Sequence, residues 1–161
     1  MTVDPEMLRA RWQSGEALQV GHSIFDAVAK QSRPAWAARV LRVALSQAPE
    51  HAADVAAVLA VADDPRRWAE GHAVFSSVRR EVLRLDERGR TAGWTPATLT
   101  RAHLLAIAEL VAKVTYNATS PRDEFDEDSG WWVAVCLRNL VEHVRDASFE
   151  RDAWRALLPT P

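Results

Sequence analysis

Arg138 and His143 are the residues of this chain whose types and spacing come nearest to a reaction. They bracket the segment Arg138-Asn139-Leu140-Val141-Glu142-His143. A histidine moves protons because its pKa lies near physiological pH, and an arginine can grip a phosphate with two parallel hydrogen bonds while charge builds on it. Together they would suit phosphodiester chemistry without a metal. The two side chains stand about 140° apart around a helix, so a shared site needs a second helix to complete it. Arg138 also precedes Glu142 by one turn, the spacing of a surface ion pair. Arg67 and His72 repeat the arginine-to-histidine interval elsewhere in the chain.

The segment resembles the R-N-x-x-x-H signature of the HEPN ribonucleases. The resemblance covers six residues of the 161. It implies an all-α fold and metal-independent cleavage of RNA, with the paired residues commonly meeting across a dimer. By that pattern Arg138 would bind the scissile phosphate, His143 would supply acid or base, and Asn139 would orient them.

A second group of residues points to contact rather than catalysis. Tyr116 and Asn117 precede a loop that ends in Asp123-Glu124-Phe125-Asp126-Glu127-Asp128, and Gly130-Trp131-Trp132 follow. Carboxylates at this density can take Mg²⁺ or Ca²⁺, but the spaced ligands and turn glycine of an EF-hand are missing. Helix physics accounts for them more simply: Asp126, Glu127, Asp128 and Ser129 stand where a helix begins and its free N–H groups favour anions. Adjacent tryptophans on a helix point about 100° apart, so both can be buried only at a crowded junction. Tyr116, Asn117, Asp126, Asp128, Trp131 and Trp132 are therefore the candidate partner-binding surface.

Arg80, Arg84 and Arg88 fall on one helix face and could track nucleic-acid phosphates. Glu81, Asp86 and Glu87 interleave with them and no aromatic residue stands ready to stack a base, which favours a solvated, ion-paired face. His22 and Asp26 are one turn apart, but two ligands do not make a metal site. His103 shares a side with Leu99, Ala106, Ile107 and Leu110, the setting of a hydrogen-bonded core histidine. His72 sits beside Trp68 and Phe75. Cys136 lies mid-helix among apolar residues and reads as an inert buried thiol. No metal and no cofactor is expected.

Composition narrows the classes further. Twenty basic and 22 acidic side chains leave a net charge of −2, too little for a general attraction to nucleic acid or anionic membrane. One cysteine excludes an internal disulfide or a thiolate zinc cluster. No apolar run is long enough to span a bilayer, and Met1-Thr2-Val3-Asp4-Pro5-Glu6 lacks the pattern of a signal peptide. A cytoplasmic location is the expectation.

The elements that must position these groups are helices. Alanine, with 28 residues, is commonest and glycine is scarce at six, a balance that favours helix. Proline and glycine cut the chain into pieces predicted at about 5–12, 17–31, 34–47, 50–62, 65–88, 96–117, 128–146 and 148–158. The fourth is apolar nearly all round and is expected to be surrounded by protein. In the fifth, Trp68, Gly71, Phe75, Val78, Val82 and Leu85 recur at alternating steps of three and four. No stretch alternates with period two. The sequence thus predicts an all-α protein, a single domain over 1–161. Seven or eight helices form an antiparallel bundle whose long-helix core lies in the last two-thirds, with the shorter pieces outside it. The function expected of it is non-catalytic, through contact with a protein partner or self-association as a homo-oligomer. A dimeric HEPN-like endoribonuclease acting on RNA is the alternative, and an arginine-stripe nucleic-acid binder the weaker one.

Overall fold

A computed structural model describes residues 4–119 and 129–160. Among them the chain is all-α, with eight α-helices and no strand. α1 spans Pro5–Gln13, α2 Ala17–Ala27, α3 Arg33–Leu45, α4 Ala52–Asp63, α5 Gly71–Ala92, α6 Pro96–Asn117, α7 Ser129–Val144 and α8 Ala147–Leu157. Short 3-10 turns at Lys30–Ser32, Pro49–His51 and Pro65–Glu70 lead into α3, α4 and α5.

Local chemistry sets the helix starts. Asp4 caps α1 by accepting from Glu6 N–H at 3.0 Å, with Pro5 in the first turn. Thr95 and Thr98 form a reciprocal capping box at the head of α6, with bonds of 3.2 and 2.8 Å. Asp146 accepts from Phe149 N–H at 2.7 Å and opens α8. α5 runs past its expected end near 88 and continues to Ala92. Gly89 is there because the Trp94 ring folds back onto the helix. A β-carbon at Gly89 would lie 2.1 Å from that ring. Gly93, with φ of 86°, ends the helix.

α5, α6 and α7 lie side by side, with α6 in the middle. The shorter helices, expected outside the long ones, build a second layer: α2 lies on α7, α3 on α6, and α4 against α5 and α6. Apolar side chains from both layers make one continuous core. Trp12, Ile24, Val40, Leu41, Leu104, Leu105, Ile107, Leu137 and Leu140 are all fully buried in it, each contributing roughly 1.5–3 kcal/mol by leaving water. α4 corrects one expectation. It is an edge helix that buries Val55, Val58, Val61 and Ala62, while Ala52, Ala53, Ala56, Ala57 and Ala60 face solvent. Alanine permits this, since an exposed methyl costs little and its helix propensity is the highest.

Candidate functional site

α7 presents Arg138 and His143 to different neighbours. The Arg138 guanidinium lies toward α1 and α8. Its Nη2 donates to Gln13 O at 3.4 Å, its plane lies 5.3 Å from the Trp12 ring centroid, and Nη1 is 4.0 Å from Glu150. Nε stands 3.1 Å from Glu142 Oε1, an ion-pair distance without hydrogen-bond alignment. Only 17% of the side chain is exposed. A cleft between α7 and α8 reaches it, but Glu142, Asp146 and Glu150 line that cleft together with Arg145. A phosphate approaching Arg138 would meet carboxylates first. Asn139 is exposed, one turn before His143.

His143 turns the other way, toward α6. Its Nε2 is 2.8 Å from Thr100 Oγ1 and 3.2 Å from the Pro96 carbonyl oxygen. A carbonyl can only accept, so in the neutral ring the proton sits on Nε2 and Nδ1 keeps its lone pair. Thr100 Oγ1 in turn donates to Pro96 O at 2.9 Å. Beside it stands His103, with ring centroids 5.2 Å apart and planes inclined by 43°. His103 is half-buried, not a core residue, and faces an imidazole where the sequence suggested a hydrogen-bonded partner in the interior. Burial, and then the neighbouring His143, hold its pKa below the ordinary histidine value. Sequence reading missed this pair. The signal available was that α6 and α7, consecutive helices of the chain packed on each other, bring residues near 100 and 143 level when they run antiparallel.

The tryptophans separate as their 100° offset requires. Trp131 packs on α2, 4.2 Å from the His22 ring in an edge contact, and is partly buried. Trp132 is 41% exposed. Tyr116 leans toward α5, 5.7 Å from the His72 ring, and Asn117 is buried at the end of α6. The four of the proposed contact residues that the structure describes, Tyr116, Asn117, Trp131 and Trp132, therefore turn to different neighbours. Asp126 and Asp128 lie outside the described residues, as does the expected cap of α7.

Two arginines of the stripe are occupied locally. Arg80 bonds Ser77 at 3.2 Å, Arg84 pairs with Glu81, and Arg88 is exposed. His22 pairs with Asp26 at 3.0 Å. Burial, and then the charge of Glu109, push the Cys136 thiol up to about 11. Among the described residues no helix is long and apolar enough to cross a membrane, and no group of three or more His, Cys, Asp or Glu is placed to hold a metal ion. Comparison of the chain with protein-family profiles, curated proteins and solved structures finds no match.

Proposed function

We propose that this chain acts without catalysis, as a helical protein that docks on a protein partner through the outer face of the α5–α6–α7 layer. The observation that carries the reading is the exposure of Trp132, a tryptophan of α7 left 41% open. A tryptophan presents the largest apolar surface of any side chain together with an N–H donor, and such residues dominate interface energetics when a partner covers them. Half-buried Phe75, Val82, Ala106 and Leu110 continue the apolar character across α5 and α6. The Lys113 ammonium stands beside it, 5.1 Å over the Phe75 ring. The carboxylates around Arg138 weigh against a ribonuclease built on Arg138 and His143, and the local pairing of Arg80 and Arg84 weighs against a phosphate-tracking stripe.

Affinity capture with the wild-type chain and with Trp132→Ala, followed by quantitation of every co-purifying protein, tests the reading. At least one partner should fall tenfold or more with Trp132→Ala while circular dichroism shows the fold unchanged. Identical recoveries from the two baits would remove Trp132 from any interface and the reading with it.

A further inference from the structure

We propose that the cleft between α3 and α8 binds a small phosphomonoester, holding its phosphoryl group by arginines and its organic part against an apolar wall. Arg39, Arg42 and Val43 line the cleft from α3, and Asp152, Arg155 and Ala156 line it from α8. Each triplet occupies positions i, i+3 and i+4, which share one helix face. The packing of α3 on α8 therefore builds the cleft directly. Its volume is about 480 Å³, inside the range of about 300–1,000 Å³ usual for small-molecule sites. A bare phosphate ion fills little of that space. Neither helix belongs to the α5–α6–α7 layer, so the site is independent of Trp132.

The first support is a cation without a counter-ion. Arg39 is half-buried and donates to Ala156 O, Leu158 O and Thr160 Oγ1, all of them neutral acceptors. No carboxylate stands at ion-pair distance from it among the described residues. Burial, with nothing acidic to offset it, holds its pKa below the ordinary arginine value. A charge withdrawn from water without a partner is costly, and an anion in the cleft offsets that cost. The three bonds fix the planar guanidinium in place and leave one N–H on each Nη for a ligand. The carbonyls that end α8 repel an anion, but Ala156 O and Leu158 O are the ones this guanidinium already covers.

The second support is the balance of charge. Three guanidinium groups and one carboxylate line the cleft, and positive charge stays in excess when Asp63, the partner of Arg42, is counted as well. The α7–α8 cleft instead sets Glu142, Asp146 and Glu150 against Arg138 and Arg145, and the groove between α4 and α5 holds Asp54 and Glu81. The two outer arginines can turn to a ligand at little cost. Arg155 stands 3.8 Å from Asp152, too far for a hydrogen bond, with the side chains 76% and 60% exposed. Arg42 and Asp63 are both about half-exposed, and surface pairs of this kind contribute little. Guanidinium forks suit the several oxygens of a phosphoryl group, which offers more acceptor positions than a carboxylate. Val43 and Ala156 supply the apolar wall.

Titration of the full chain with phenyl phosphate tests the proposal, read through backbone amide NMR signals at a pH above about 7, where the phosphomonoester is mainly a dianion. Signals of Arg42, Val43, Arg155 and Ala156 should shift together and saturate. Sodium phosphate and sodium benzoate, titrated alongside, should each bind tenfold or more weakly, which separates the ester from its phosphoryl group alone and from a carboxylate. Arg42→Gln and Arg155→Gln should each weaken phenyl phosphate binding threefold or more, Asp152→Asn should tighten it, and Arg84→Gln on α5 should leave it unchanged. The proposal is overturned if millimolar phenyl phosphate moves none of the cleft signals, if the shifts centre on other helices, if phosphate or benzoate binds as tightly, or if the two arginine variants bind as wild type does. All four substitutions fall at exposed positions. Should one nevertheless prevent folding, the wild-type titrations decide alone.

Discussion

Arg39 shows how far a single side chain can reach in this fold. From α3 it crosses to the end of α8. Its Nε donates to Ala156 O at 3.1 Å, Nη2 to Leu158 O at 2.5 Å and Nη1 to Thr160 Oγ1 at 2.7 Å. Trp36 Nε1 supplies Leu157 O at 2.8 Å. The last carbonyls of a helix have no partner within it, so α3 completes the cap of α8 from outside. Replacing Arg39 by methionine keeps most of the apolar stem and removes the donors. The expected cost is about 1–3 kcal/mol, from charge-assisted bonds lost at a half-exposed site, and urea denaturation would measure it. A midpoint equal to wild type would show that water replaces the guanidinium without loss. Cys136 makes the opposite point, that a reactive residue can be silenced by its setting. With its thiol held up to about 11, the folded chain should resist a thiol-specific reagent at pH 8 and react fully once denatured. The sign for stability follows. The unfolded thiol ionises first as pH rises through its ordinary range, so stability attributable to Cys136 is intact below that range and falls between about 9 and 11. Cys136→Ala should flatten that part of the curve.

At the scale of elements, the helices were legible because their ends are written locally. Asp4-Pro5, Thr95-Pro96 and Asp146 are signals that need no knowledge of the rest of the chain, and each opens a helix. What the helices touch was not legible, since it depends on register between segments far apart in sequence. That is why α4 turned out to be an edge helix, and why His103 met His143 rather than the core. Within the candidate site, the divergence of Arg138 and His143 followed from helix geometry alone, whereas Trp131 and Trp132 could not be assigned without α2 in place. α2 and α7 approach closely at two glycines. A β-carbon at Gly21 would stand 2.3 Å from Trp131 O, and one at Gly130 would stand 2.2 Å from the Phe25 ring. Backbone cannot yield as a flexible side chain does, so Gly21→Ala must push α2 away from α7. Overpacking of this kind costs about 1–3 kcal/mol, although the helix propensity of alanine offsets up to about 1. A lowered thermal midpoint together with a changed Trp131 environment is the expected result. A rise would mean that the helices separate freely.

For the molecule as a whole, the decisive feature is that one buried cluster draws on every helix. α6 lies at its centre and contacts α3, α4, α5 and α7, while Trp12 of α1 donates to Ala134 O of α7 at 3.0 Å and stacks 5.6 Å from Trp154 of α8. No helix can leave without uncovering apolar surface on two others, so partial unfolding exposes much and gains little chain entropy. Denaturant unfolding should therefore be two-state, with far-ultraviolet circular dichroism and tryptophan fluorescence giving coincident transitions. Within that single transition, native-state hydrogen exchange should still grade the structure. Amides of Leu104, Leu105, Ile107, Ala108 and Val111, fully buried in α6, should open only with global unfolding. Those of residues 90–94, exposed at the α5–α6 turn, should exchange far faster than these. Two resolved transitions, with α1 and α8 melting before α6, would show instead that the outer helices are appended to a core that stands without them.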